Sequence, residues 1–168
     1  EITKALIYSY TDKEYRMMIE EKNDYLYTAN RLGITDGIKS SGNASFGDCV
    51  VMLYNTINSQ YKKDYSDSKA TLLEELYGIY FNKGRMTANC YTAISGQRTR
   101  NKEKIGIDGV AYYCSDSSIN DLIGYTLDVY YTEIDGERTV VFWGIDRKNT
   151  VTKFSAEDVS YSDFTLTY

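Results

Sequence analysis

The sequence contains no histidine and no proline, and it has three cysteines and one tryptophan among 168 residues. The missing histidine removes the commonest general base near neutral pH and the commonest metal ligand. A serine or cysteine nucleophile would need Lys, Asp or Glu as its partner, and no local arrangement offers one. The chain is therefore expected to be non-catalytic and to carry no cofactor. Without proline, turns must be made by Gly, Asn, Asp and Ser. Cys49, Cys90 and Cys114 are odd in number and widely spaced, and no CxxC pair exists. That pattern argues against a zinc or thioredoxin-like site. One disulfide at most can form, with Cys90–Cys114 as its candidate, and three free thiols packed as small hydrophobes are the expectation. No apolar run approaches the roughly 18 residues of a membrane span. The chain starts at Glu1 rather than Met, as an internal fragment or a mature product would. The lack of a signal peptide thus says nothing of destination.

What is present fits one or two compact soluble domains. Hydrophobic residues make up 42% and charged residues 26%, ordinary values for a chain with its own core. The balance of 19 basic and 24 acidic residues leaves a net charge of -5. A mildly acidic chain has no electrostatic reason to seek nucleic acid or an anionic membrane. The 18 tyrosines suit half-exposed β surfaces, and they equally suit carbohydrate or protein contacts.

The hydrophobic pattern changes character at Gly78. Before it, the periodicity is helical. Residues 5–10 suit a short strand or a helix start. Leu26, Ala29 and Leu32 fall on one helical face, and Gly33 is placed to end that helix. Ser45 is a good N-cap, with Asp48 three residues on as a capping-box partner. Val50, Leu53, Tyr54 and Ile57 follow as an apolar stripe. Residues 60–70 are polar and read as a linker or exposed loop. Residues 69–77 read as a short helix with Leu72, Leu73 and Leu76 on one face. After Gly78, short runs rich in Ile, Val, Tyr, Phe and Thr alternate with turn residues. Strands are expected at 86–92, 104–107, 110–114, 125–131, 139–143, 151–154 and 164–168. Asp108-Gly109 and Asp135-Gly136 mark two hairpins. A helical turn is expected at 119–123, with Gly124 as its stop. The fold class is α+β: a helical unit over 1–77, then a small antiparallel barrel over 78–168, compatible with an OB-like or other partly open barrel.

Two segments in sequence resemble the S-layer-homology family. Residues 24–37, from Asp24-Tyr25-Leu26 through Leu32-Gly33-Ile34 to Gly37, resemble the first helix and loop of such a repeat. The run Ser45-Phe46-Gly47-Asp48, continuing into Val50-Val51-Met52-Leu53, resembles its second helix, which usually opens with Thr-Arg-Ala-Glu or Thr-Arg-Gly-Asp. The resemblance implies a secreted bacterial surface protein, located at the cell wall or surface layer, whose repeats bind an acidic cell-wall polysaccharide. Ser45 stands at the capping position, Gly47 at the small residue and Asp48 at the acidic one, with Gly33 and Gly37 in the loop. Phe46 occupies the place of the arginine that helps hold the polysaccharide, so this repeat is expected to be structural. Its expected partners are neighbouring domains or subunits of a larger surface protein, and also cell-wall polysaccharide.

Among other constellations, Glu74-Glu75, Asp135/Glu137 and Glu157-Asp158 are the visible acid pairs, and such pairs usually form solvated surface. Asp116, Asp121 and Asp128 lack the spacing of a calcium loop, so no metal is expected. Arg98, Arg100, Lys102 and Lys104 form the basic cluster, with Tyr112 and Tyr113 on the next hairpin. Together they suggest a face for an anionic glycan, with Arg98, Arg100, Lys102, Lys104 and Tyr112 as its contacts. The role expected is that of a surface or structural module. Two rivals are an oligosaccharide-binding module and a structural component of a phage virion or other extracellular assembly. In strand 139–143, Val141 and Trp143 share one face and Val140 and Phe142 the other, and one of these faces is expected in the core.

Overall fold

A computed structural model describes residues 2–11, 13, 16–17, 25–39, 43–63, 66–151, 159–160 and 165–166. The chain divides into two compact units, Glu1–Tyr80 with Tyr131–Gly136, and Phe81–Tyr130 with Glu137–Tyr168.

The first unit opens with helix α1 (Ile2–Tyr10), so residues 5–10 lie within a helix rather than a strand. Helix α2 (Tyr25–Arg31) and helix α3 (Phe46–Asn58) follow. Their shared core is Ile7, Ala29, Ile34 and Met52. Gly33, at φ +74°, and Gly37, at φ +81°, turn the chain between α2 and α3 in the left-handed region that glycine adopts at little cost. Helix α3 starts with both halves of the expected capping box. The Asp48 N–H donates to Ser45 Oγ at 3.2 Å, and the Ser45 N–H donates to Asp48 Oδ2 at 2.9 Å.

The buried face of α3 differs from the expected stripe. Met52 and Thr56 are buried, whereas Val50, Leu53 and Tyr54 are exposed and Phe46 is 86% exposed. Leu26 of α2 is also exposed, so Ala29 and the half-buried Leu32 carry that face. Apolar residues lie on most sides of α3, so periodicity alone does not select the side that packs.

The stretch expected as a linker is a hairpin. Strands β1 (Gln60–Lys63) and β2 (Ser66–Thr71) pair antiparallel, with Gln60 opposite Thr71 and Lys63 opposite Ser66. A polar strand pair has no alternating apolar face to betray it in a sequence. Helix α4 (Leu72–Tyr77) begins at Thr71 with a second capping box, through Glu74, and ends at Gly78 at φ +61°. Leu72 is its buried leucine. Leu73 is half-buried and Leu76 is exposed, so the expected three-leucine face is not a buried face.

Strands β3 (Ile79–Ala88), β4 (Lys104–Ile107), β5 (Val110–Tyr113), β6 (Thr126–Ile134) and β7 (Glu137–Ile145) close into a barrel in the order β3-β4-β5-β7-β6. A 3-10 helix (Ser117–Leu122) joins β5 to β6, and Gly124 follows it at φ +90°. Five strands, Greek-key closure and a helical turn between the third and fourth strands make the barrel OB-like. It is mixed rather than wholly antiparallel. The β5–β7 pair, with Tyr113 opposite Thr139, is parallel, because β7 returns beside β5 to close the ring. Strand β3 begins seven residues before the expected start at 86, and it ends at Ala88, where Asn89 turns the chain away.

Both hairpins form where Asp-Gly pairs predicted them. Asp108 and Gly109 have φ of 46° and 81°, and Asp135 and Gly136 have 53° and 80°. Two successive positive φ values are what a tight two-residue turn needs to match the twist of its strands. The barrel interior holds Met86, Ala88, Ile105, Ile107, Tyr112, Cys114, Ile119, Leu127 and Val129. Neither face of β7 at 140–143 is buried. Val140 and Trp143 are half-buried, and Val141 and Phe142 are exposed. The three cysteines are free thiols, Cys114 buried and the other two half-buried. Of the strand expected at 151–154, Val151 lies outside any strand, and residues 152–154 are outside the described residues. Of the strand expected at 164–168, β9 (Thr165–Leu166) forms, antiparallel to β8 (Val159–Ser160). Among the described residues no helix is long and apolar enough to cross a membrane.

Candidate functional site

The β3–β4 connection is long but internally fixed, and Asn89 fixes it. Asn89 is buried. Its Oδ1 accepts from the N–H groups of Tyr91 at 2.9 Å and Thr92 at 2.8 Å, an Asx turn. Its Nδ2 donates to the Asn120 carbonyl at 2.9 Å. Its backbone is used as well, since Asn89 N–H donates to Thr92 O and Thr99 N–H donates to Asn89 O, each at 2.9 Å. Ile94 N–H donates to Thr87 O at 2.9 Å, and Ala93 bridges to Ala88. Further along, Thr99 Oγ1 donates to Lys104 O at 2.6 Å, which carries the loop into β4.

The folded loop encloses an open cleft of about 810 Å³, whose walls include Tyr91, Thr92, Gln97, Arg98, Thr99 and Arg100. Arg98 Nη1 donates to the Tyr91 backbone carbonyl at 3.3 Å, and the Tyr91 ring is exposed. Arg100 is exposed in the same wall. The cleft thus offers two guanidinium groups, two hydroxyls, an amide and an aromatic ring. Guanidinium forks match carboxylate and phosphate oxygens two at a time.

The other expected contacts are spread more widely. Lys102 is exposed, past the cleft wall. Lys104 lies on β4, with Nζ 4.1 Å from the Tyr113 ring centroid and 3.9 Å from Glu137 Oε1. The Tyr113 hydroxyl beside it, and then the Glu137 charge, hold the Lys104 ammonium above its ordinary range against the opposing effect of desolvation. Tyr112 is only 2% exposed. Its hydroxyl accepts from Asn82 Nδ2 at 3.1 Å inside the barrel, so the surface ring on β5 is Tyr113. In the helical unit, Gly33, Gly37, Ser45 and Asp48 make a loop and a helix cap. Gly47 is exposed beside that cap.

A second surface feature is an aromatic ridge across three adjacent strands. Phe81 of β3 and Tyr130 of β6 have ring centroids 5.1 Å apart, and Tyr130 and Phe142 of β7 are 6.0 Å apart. The two phenylalanines are exposed.

The acids have local duties. Glu74 caps α4, Asp135 makes a turn, and Glu137 lies beside Lys104. Asp128 and Asp146 both pair with Lys83, at 3.1 and 3.2 Å. Glu75 and Asp121 are exposed, and Glu157-Asp158 lies outside the described residues. Among the described residues no three His, Cys, Asp or Glu side chains are grouped to hold a metal.

Arg98 and Arg100, singled out in the sequence as part of a basic cluster, line one cleft, whereas Asn89, which shapes their loop, was not singled out. The one available signal was an asparagine at the end of a strand, a residue type that turns chains by bonding its own backbone. No protein-family model matches the chain, and no curated protein or solved structure matches it.

Proposed function

We propose that this chain is a non-catalytic module of a secreted bacterial surface protein, and that its barrel holds an acidic oligosaccharide of the cell wall in the β3–β4 cleft. The observation that carries this reading is the pairing of Arg98 and Arg100 in one polar cleft on a loop fixed by the buried Asn89. A preformed loop lowers the ordering cost of holding a flexible sugar. OB-type barrels use the loop between their first two strands, together with the face of the second and third, to bind oligosaccharides and oligonucleotides. Here those elements are the cleft loop and β4–β5, with Lys104 and Tyr113 on the outer face. The net charge of -5 disfavours a polyphosphate and favours a ligand recognised through a few local charges.

The resemblance of residues 24–58 to an S-layer-homology repeat supports a place at the cell wall. Phe46 stands where such a repeat has its arginine, so polysaccharide binding is assigned to the barrel and not to this motif. The exposed Phe46, Val50 and Leu53 suit cover by a neighbouring domain or subunit. Co-sedimentation of the purified chain with Gram-positive wall sacculi tests the reading. Binding that is lost once the secondary polysaccharide is stripped supports it, and equal absence of binding before and after stripping removes it.

The aromatic ridge favours a second reading, a structural component of an extracellular assembly such as a virion. Tilted aromatic rings in a row across a sheet, the outer two exposed, are typical of protein contacts. Sedimentation velocity of the wild type and of Phe142→Ser distinguishes the two, since self-association that disappears in the variant supports assembly.

A further inference from the structure

A smaller cavity of about 280 Å³ lies on the barrel between the end of β5 and the middle of β7, away from the residues of the β3–β4 cleft. Its walls are Val140, Val141, Phe142 and Trp143 from β7, with Cys114, Ser115 and Asp116 from the chain after β5. Asp116 is held in place from both oxygens. Oδ1 accepts from the Ser118 hydroxyl at 2.6 Å and from the Ser118 N–H at 3.0 Å, and Oδ2 accepts from Trp143 Nε1 at 3.2 Å. These bonds, Ser118 first and Trp143 last, keep the carboxyl below the usual carboxylate range, so it is charged at neutral pH. Among the described residues Asp116 is in no ion pair, unlike Asp128 and Asp146, which share Lys83.

An anchored carboxylate beside the Trp143 indole and the Val141 side chain calls for a ligand with a cationic tip and an apolar stem. We infer that this cavity receives the side chain of a lysine presented by a partner protein. The four-carbon stem lies along Val141 and Trp143, which share one face of β7, and the ammonium reaches Asp116. An amino sugar fits the wall chemistry less well, because beyond Ser115 and Asp116 the side chains of this wall offer its ring hydroxyls few polar partners. The charge of the whole chain, -5, also draws a basic partner. The site is independent of the cleft assigned to oligosaccharide, and either can stand without the other.

Trp143 is the sole tryptophan, so its fluorescence reports on this cavity alone. Nα-acetyl-lysine-N-methylamide is titrated into the full chain beside its uncharged isostere, Nα-acetyl-norleucine-N-methylamide, and beside glucosamine. The lysine analogue is expected to give a saturable change in the millimolar range, with about tenfold weaker binding by the norleucine analogue. Asp116→Asn is expected to lose about tenfold in affinity for the lysine analogue. Val141→Lys, which fills the cavity from an exposed position and leaves Asp116 untouched, is expected to abolish the response. No saturable change with the lysine analogue overturns the inference, as does an equal response to the norleucine analogue. A response to glucosamine with none to the lysine analogue overturns it as well. Full retention of binding by a folded Val141→Lys variant is equally decisive against it.

Discussion

The side-chain amide of Asn89 donates to the carbonyl of Asn120 at 2.9 Å, joining the cleft loop to the 3-10 helix that precedes β6. The same side chain accepts two N–H groups from its own loop. One side chain therefore satisfies three backbone groups. Asn89→Ala is expected to cost about 2–4 kcal/mol, since it strands buried polar groups. Asn89→Asp keeps both accepted bonds but sets a buried carboxylate oxygen against the Asn120 carbonyl, so it too should destabilise the fold at neutral pH. Denaturant unfolding of the three proteins measures this. An Asn89→Ala midpoint equal to wild type would show that the loop holds itself by other means.

Helix α3 offers a paired comparison between neighbours. Met52 is 4% exposed and Leu53 is 53% exposed. Met52→Ala removes a side chain packed with Ile7, Ala29 and Ile34 and should cost about 2–4 kcal/mol. Leu53→Ala should stay within about 0.5 kcal/mol. Thermal unfolding of the two variants checks the pair, and the reverse ranking would place the stripe read from the sequence in the core.

That comparison bears on how far the sequence was legible. Asp108-Gly109 and Asp135-Gly136 were readable because a two-residue hairpin needs positive φ twice, and few dipeptides tolerate it. Ser45 and Asp48 were readable because capping is a local bond between residues three apart. Both signals are complete within four residues. Which side of α3 faces Ile7 is decided by a residue 45 positions away, and five consecutive apolar residues, Val50 to Tyr54, leave the period ambiguous. The β1–β2 hairpin is held by backbone bonds between polar residues, so composition suggested a loop. In the candidate site the charges of Arg98 and Arg100 were visible, but the shape that brings them together depends on Asn89 reaching Asn120.

Gly84 on β3 is a site where a single methyl group should matter. A Cβ there would stand 2.6 Å from Ile107 Cγ2 and 2.5 Å from Asp108 Oδ2. The aspartate cannot simply move aside, because its Oδ1 accepts the Arg85 N–H at 3.2 Å and its backbone makes the turn. Gly84→Ala is expected to cost about 1–3 kcal/mol by overpacking. Gly144→Ala, with open space around its Cβ, is the control and should cost far less. Equal melting temperatures for the two variants would contradict the close approach.

The Lys83 pairs set a pH dependence of definite sign. Asp146 is held below its ordinary value of 3.8 by the Lys148 N–H first and by Lys83 after it. Its contribution to stability is present above 3.8 and is lost as pH falls through the lower folded value. Lys83 is raised above 10.5 by Asp128 and then Asp146, so its contribution is present below 10.5 and is lost as pH rises through the higher folded value. Lys83→Met should therefore flatten the stability profile at both ends and leave Asp146 with its Lys148 bond. Urea midpoints at about pH 3, 7 and 11 test this, and a variant profile parallel to wild type would show the pairs to be screened out by solvent.

Charge reversal in the cleft separates the ligand site from the fold. Arg98 and Arg100 are exposed, and among the described residues the bond lost with them is the 3.3 Å donation from Arg98 to the Tyr91 carbonyl. Arg98→Glu with Arg100→Glu should hence leave thermal stability within about 0.5 kcal/mol of wild type. Binding of an acidic wall oligosaccharide should fall by at least about tenfold, because two attractive charges become repulsive ones. Wild-type binding should also weaken as salt is raised from about 0.05 to 0.5 M, since charges this exposed are screened. Lys102→Glu, placed past the cleft wall, should have a smaller effect on the same ligand. A double variant that binds as wild type does, with the same salt dependence, would move the ligand off this loop, and the outer face of β4–β5 around Lys104 and Tyr113 would be the next surface to test.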